Sequence, residues 1–229
     1  MKTILLLLAF SLVAVSVRAN VVLPDVISSG MVLQQGKRIP IWGKADPGEA
    51  ITLTFNKRSK QTTADKDGKW LVRLDPLRAN STPAEMTIEG RNKLQLNDIL
   101  IGEVWLVAGQ SNMQRLLSET ANGTEAIASA NHPLIRLFNV SRAVGFKHAP
   151  PPLATWQACT SDSVKEFSAA GYYFAVELQS NLNVPLGVIN SSYGGSQAEA
   201  WTPVEYLLAS ADLKPTVERT KIWDEERPE

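Results

Sequence analysis

The sequence predicts an α/β protein in two parts: a small β-sandwich over residues 20–97, then an incomplete three-layer α/β/α domain over residues 98–229. Three observations carry that prediction. Up to Asn97, short runs rich in β-branched and aromatic residues alternate with turn residues, as in an antiparallel sandwich. From about Asp98, longer apolar strands are separated by helical periodicity, the mark of βαβ units. At that change the run IGEVWLVAGQSNM, residues 101–113, breaks at Gly109 and presents Ser111.

Residues 1–19 read as a leader and not as structure. Lys2 gives a positive start, residues 4–15 an apolar core, and Val17-Arg18-Ala19 a small-residue cleavage pattern, so the mature chain is expected to begin at Asn20. The run is too short to span a bilayer as a helix, and no later stretch is long and apolar enough. The expectation is a secreted or periplasmic protein with no membrane contact after cleavage. Lys+Arg 23 balances Asp+Glu 23, which gives no electrostatic reason to expect nucleic acid or an anionic membrane surface as partner. Cys159 stands alone, so no disulfide can form within the chain, and a buried free thiol is expected.

In the first part, strands are expected at residues 39–42, 50–55, 70–74 and 86–89. Turn chemistry separates them: Asp46-Pro47-Gly48, Asp65-Lys66-Asp67-Gly68, Pro76, and Ser81-Thr82-Pro83. The Asp65–Gly68 stretch lacks the further ligands of a calcium loop and reads as a hairpin turn. Trp42 and Trp70 could stack on a sugar if exposed, but tryptophans within strand patterns are expected in the core.

In the second part, residues 104–108 between Gly102 and Gly109 read as a strand covered on both faces. Residues 111–117 have helical character, so Ser111 sits where a strand turns into a helix. There it either caps the helix or serves as a nucleophile at the carboxyl edge of the sheet, where helix N–H groups favour negative charge. A second strand follows at 134–140, then a loop at 143–152 ending in three prolines. Phe167, Ala170, Phe174, Leu178 and Leu182 recur at helical spacing, with Ser168 as cap and Pro185 as terminator. A third strand at 184–190 runs into Ser191-Ser192-Tyr193-Gly194-Gly195-Ser196. In a flavodoxin-like order, 2-1-3, the first and third strands are neighbours, which puts Gly194 and Gly195 beside Ser111. Either the glycines let backbone N–H groups approach a ligand closely, or they serve a tight turn needing φ > 0.

A serine hydroxyl needs a base, and the chain holds only His132 and His148. His132 precedes Pro133 at the entrance of the second strand, the wrong end of the sheet; His148 lies in the following loop, on the correct edge but with no carboxylate in sequence to orient it. A surface-loop position is expected for both. A doubly wound sheet ordinarily has about five strands. Only three are legible before the charged tail at 221–229, which reads as the start of a helix or insertion.

GEVWLVAGQSNM resembles the first block of the SGNH-type hydrolases, in the branch containing sialate O-acetylesterases and related carbohydrate acetylesterases. NSSYGGSQAEAW resembles the second block of that branch, and MVLQ, PIWGKADPGE and ADKDGKW resemble its non-catalytic amino-terminal β-domain. The resemblance implies that Ser111 is the nucleophile of an esterase, working through an acetyl-enzyme. It implies that the N–H groups of Ser111 and of Gly195, before Gly194, hold the oxyanion. Gln110, Asn112, Glu199 and Trp201 would shape the substrate pocket or brace its loop. The substrate would be an acetylated glycan or sialic acid, with no metal or organic cofactor. The family's base belongs to an Asp-x-x-His motif near the end of the hydrolase domain, and no such motif occurs before Glu229, so this chain alone is expected to be inactive. An esterase for acetylated xylan, and a non-catalytic carbohydrate-binding protein, remain the alternatives. No oligomeric state is implied.

Overall fold

The computed structural model describes residues 20–141 and 154–219. The expected leader, the loop at 143–152 with His148, and the charged tail lie outside the described residues. The chain opens with β1 (Val32–Gln34), β2 (Ile39–Lys44), β3 (Ala50–Phe55), β4 (Arg58–Thr63), β5 (Lys69–Leu74), β6 (Asn80–Glu89) and β7 (Lys93–Gly109). Alternation decides their faces. Ile39, Ile41, Trp70, Val72 and Leu74 point inward from the two-stranded β2–β5 sheet, onto Ile51, Leu53, Met86, Ile88 and Ile99 of β3, β6 and β7. Burial of each such side chain contributes roughly 1.5–3 kcal/mol. Trp70 is in this core as expected, but Trp42 is not: it shares its parity with Pro40 and Lys44 and stays on the outer face.

Two layers of sheet meet here, but the larger is not confined to residues 20–97. Its order is β4-β3-β6-β7, and β7 carries it onward into the second part of the chain. The expected boundary at Asp98 falls inside this one strand. Asp98 takes a left-handed conformation, φ 56, at the register shift between the Met86–Leu96 and Ala84–Ile99 pairs, beyond which β7 still pairs with β6 as far as Ile101. Two other details differ from the sequence reading. The Asp65–Gly68 turn joins β4 to β5, which belong to different sheets, so it closes no hairpin. Ser81-Thr82-Pro83 lies within β6, where register shifts on either side of Ala84 let the strand continue past a proline that cannot donate to a ladder.

The second part contains α1 (Ser111–Gln114), α2 (Gly123–Ser129), β8 (Asn131–Asn139), β9 (Trp156–Thr160), α3 (Ala169–Leu182), β10 (Leu186–Ser192) and α4 (Val204–Ala209). The strands run in the order β7-β10-β8-β9, with β10 parallel to both neighbours and β9 antiparallel at the edge. The expected order 2-1-3 is therefore replaced by 1-3-2, although the first and third strands are adjacent as required. Packing accounts for the order. Phe138 of β8 lies 5.1 Å from Trp156 of β9, and both enter the core of the amino-terminal strands. Trp156 Nε1 donates to Val26 O at 3.0 Å, and buried Arg136 of β8 is paired with Asp98, Nη2 to Oδ1 at 2.9 Å. Meanwhile β1 holds the other edge of β7 up to Gly102.

Helix α3 forms as expected, with Ser168 Oγ accepting the Gly171 N–H at 3.0 Å. Its buried face is different: Ala169, Gly171, Tyr172 and Ala175 are covered, whereas Phe174 and Leu182 are exposed. Small residues let the helix approach β7 closely, and a Cβ at Gly171 would sit 3.2 Å from Val107. Phe174 instead meets Trp105 edge-on at 5.2 Å. The end of β7 is consequently covered on one face only. Val107 is buried, but Leu106 on the opposite face is 64% exposed among the described residues.

Cys159 of β9 is fully buried, and desolvation pushes its thiol up to about 12. Two results follow. A disulfide reagent at pH 8 should leave the native chain unlabelled and label one thiol after denaturation. The unfolded thiol ionises at its ordinary value while the folded one stays protonated, so above that value the unfolded state binds fewer protons. This contribution to stability is complete below the ordinary thiol range and is lost as pH rises toward about 12, which denaturant midpoints measured against pH would detect.

Candidate active site

β7 and β10 end side by side, with Ser191 opposite Ala108 and Ser192 opposite Gly109 as the last pairs. Tyr193 N then donates to Gly109 O at 2.9 Å, which ties the loop after β10 to the end of β7. Gly109 has φ +141, a conformation that a side chain would resist, and it turns the chain out of the strand and into α1. Ser111 is therefore carried to the carboxyl edge of the parallel sheet.

Ser111 is the first residue of α1 and does not cap it. The cap is Gln110, whose Oε1 accepts both the Ser111 N–H, at 3.0 Å, and the Ser111 Oγ–H, at 2.8 Å. The helix is shorter than the sequence pattern suggests. The chain leaves helical geometry at Arg115 to bond with the start of α3 and the residues just before it: Ala169 N donates to Arg115 O at 2.8 Å and Leu117 N to Phe167 O at 3.0 Å. These bonds hold the single turn that bears Ser111 against the buried start of α3.

Ser111, Gly194 and Gly195 line one open cavity of about 430 Å³, together with Gln114, Arg115, Leu116 and Glu119. A Cβ built on Gly194 would stand 3.5 Å from Ser111 Cα and still closer to Gln114 Oε1, so the glycine permits this approach of loop to helix. The Gly194 N–H donates to Gln114 Oε1. Gly195 has φ +78 with open space where a Cβ would stand, so at this position both readings of the glycine, turn and donor, suit the geometry.

Gln110, Asn112, Glu199 and Trp201 are not among the residues that line this cavity. Gln110 orients the serine from behind. Trp201 braces the loop: its Nε1 donates to Ser196 Oγ at 2.8 Å, and Ser196 Oγ donates to Tyr193 O at 2.6 Å. Gln114, Arg115 and Glu119 were not singled out from the sequence. The signal for the first two was their spacing of three and four residues from Ser111 on a helix, which puts them on its face.

Among the described residues, the cavity supplies a serine hydroxyl and backbone donors but no histidine. His132 lies within β8, half-buried and 6.1 Å edge-on from Tyr172, so it is not the expected loop residue. Because β8 runs parallel to β10, its first residues lie at the end of the sheet away from Ser111. Among the described residues, no histidine lines the cavity, and no group of three or more His, Cys, Asp or Glu side chains could hold a metal ion.

Comparison with known proteins places these residues within a single match. A family model described as carbohydrate esterase, sialic acid-specific acetylesterase, matches residues 101–222. The sialate O-acetylesterase of Homo sapiens is 32% identical over 203 residues, covering 80% of this chain and 39% of that protein. The sialate O-acetylesterase of Mus musculus is 30% identical over 203 residues, covering 80% and 38%. A crystal structure of a carbohydrate acetylesterase from Xanthomonas citri superimposes with a TM-score of 0.74 at 36% identity, covering 84% of this chain and 45% of that one. The chain thus spans about two fifths of the length of the curated relatives.

Proposed function

The chain belongs to the carbohydrate esterase family of sialic acid-specific acetylesterases, and from that premise we propose that Ser111 is the nucleophile that removes O-acetyl groups from sugars. The observation that carries the proposal is the shared cavity of Ser111, Gly194 and Gly195 at the end of two parallel strands. In this reading Ser111 Oγ attacks the acetyl carbonyl carbon as its proton passes to a base. The carbonyl oxygen becomes an oxyanion held by the N–H groups of Ser111 and Gly195. The ester C–O bond then breaks, the sugar hydroxyl leaves with a proton, and water hydrolyses the acetyl-enzyme to acetate. Gln110 Oε1 occupies the Ser111 N–H in the free chain, so substrate must displace it. The Gly194 N–H is taken by Gln114, which supports Gly195 as the second donor.

The base comes from outside the described residues. We read residues 20–97 as the amino-terminal β-domain and residues 98–219 as the opening part of the hydrolase domain. The uncovered Leu106 face of β7 supports that reading. The leader at 1–19 supports export. The preferred substrate is an O-acetylated sialic acid, and acetylated xylan is the competing one. Measured with the enzyme that contains this chain, acetate release from O-acetyl sialic acid is expected to exceed that from acetylated xylan by at least roughly tenfold in kcat/KM, about 1.4 kcal/mol of discrimination. The opposite ratio would assign the enzyme to plant polysaccharide.

A further inference from the structure

The outer face of the β2–β5 sheet contributes nothing to the site at Ser111, and it carries a charge pattern that the fold does not need. Its outward positions are Pro40, Trp42 and Lys44 on β2, and Lys69, Leu71 and Arg73 on β5. That is three cations and no acid. Val22, Pro24, Trp42, Lys44, Lys69 and Leu71 border a groove of about 590 Å³ on this side. Trp42 is 41% exposed, Leu71 39% and Val22 58%.

Lys44 and Lys69 face each other directly across the ladder. The backbone N–H and C=O of Lys44 both bond to Val22, each at 2.8 Å, and so point away from β5. Those of Lys69 bond to Asp65, again at 2.8 Å, and point away from β2. The two lysines therefore form a non-hydrogen-bonded pair, the closer type, with Cα atoms about 4.5 Å apart. Like charges in that position are destabilising. Neither ammonium has an ion-pair partner among the described residues, for the described ion pairs are Lys60–Asp75, Arg91–Asp46, Lys93–Glu89, Arg136–Asp98 and Lys165–Asp162. Two of the acids near in sequence bond to other groups. Asp46 pairs with Arg91, and Asp65 Oδ1 accepts the N–H groups of Asp67 and Lys69.

We propose that this face binds an acidic sugar, with the pyranose ring stacked on Trp42 and its carboxylate between Lys44 and Lys69. The flat indole beside Leu71 suits the apolar face of a ring, and the facing ammonium groups supply the charge that a carboxylate complements. The choice of a sugar as the carrier of that carboxylate rests on the carbohydrate reading of the family. The site itself shares no residue with the cavity of Ser111.

The test uses 3′-sialyllactose and its neutral counterpart lactose, titrated into the full chain by calorimetry or by ligand-observed NMR. Sialyllactose is expected to bind, lactose to bind at least fivefold more weakly, and added salt to weaken only the former. Trp42→Ala removes about 50 Å² of stacking surface, roughly a tenfold loss, and Trp42→Tyr should restore most of it. Lys69→Glu separates a binding site from a merely structural pair. It should abolish sialyllactose binding while raising the thermal midpoint by about 1–3 °C, because it replaces repulsion by attraction. Ser111→Ala should leave binding unchanged, so loss of esterase activity and loss of this site are distinguishable. Equal binding of lactose and sialyllactose, or no effect of Trp42→Ala, overturns the proposal. So does binding that Ser111→Ala removes, or a concentration-dependent dimer that Trp42→Ala abolishes.

Discussion

Ser111→Ala in the enzyme containing this chain is expected to lower kcat/KM for acetate release by about 10⁴–10⁶, the scale seen when a serine nucleophile is removed. The thermal midpoint should move by no more than about 2 °C. Both halves of the expectation come from the site. Ser111 is exposed, its hydroxyl donates to Gln110 Oε1, and that oxygen keeps its bond from the Ser111 N–H when Oγ is deleted. The backbone donors remain in place, so binding of the product sugar should be nearly unaffected. Activity retained within about a hundredfold of wild type would remove Ser111 from the role of nucleophile.

The largest expected effect on stability is at Gly102. Glu103 N donates to Pro185 O at 2.9 Å where β10 joins β7, and this brings the Pro185 carbonyl over Gly102. A Cβ there would fall far inside contact distance of that carbonyl, and the obstructing atoms are backbone on both sides. A flexible side chain could yield at little cost, but here the two central strands would have to part. Gly102→Ala is therefore expected to cost about 3 kcal/mol or more, near the upper end for overpacking, and to lower the midpoint by roughly 10 °C. Gly48→Ala is the contrasting case. Gly48 has φ +77 but open space around it, so only backbone strain of about 1 kcal/mol is expected. Denaturation midpoints that rank the two in the opposite order would contradict this account of the β7–β10 junction.

Several features that depend on neighbours in sequence were legible. The alternation of Ile39, Ile41, Trp70 and Val72, the cap at Ser168, and the glycine before the serine all read correctly because strand pleat, capping and φ limits act within a few residues. Trp42 was misjudged by weighing its hydrophobicity above its parity with Pro40 and Lys44, although alternation alone pointed outward. β9 escaped notice because Trp156–Thr160 is short and not alternating, and it is held as a strand by β8. Phe174 was placed in the core by helical spacing, but Gly171 and Ala175 let the helix settle on a different face.

By itself the sequence determined β2, β3, β5, β8, β10 and helix α3, and a serine at a strand-to-helix turn followed far along the chain by two glycines. Only the tertiary structure decided that β10 lies between β7 and β8, and that Gln114 meets Gly194 across eighty positions of chain. It alone left Lys44 and Lys69 facing each other with no ion-pair partner among the described residues. The physical reason is range: local sterics and periodicity are written in adjacent residues, whereas strand order and site neighbours come from competition among packings of distant segments, which no short pattern records.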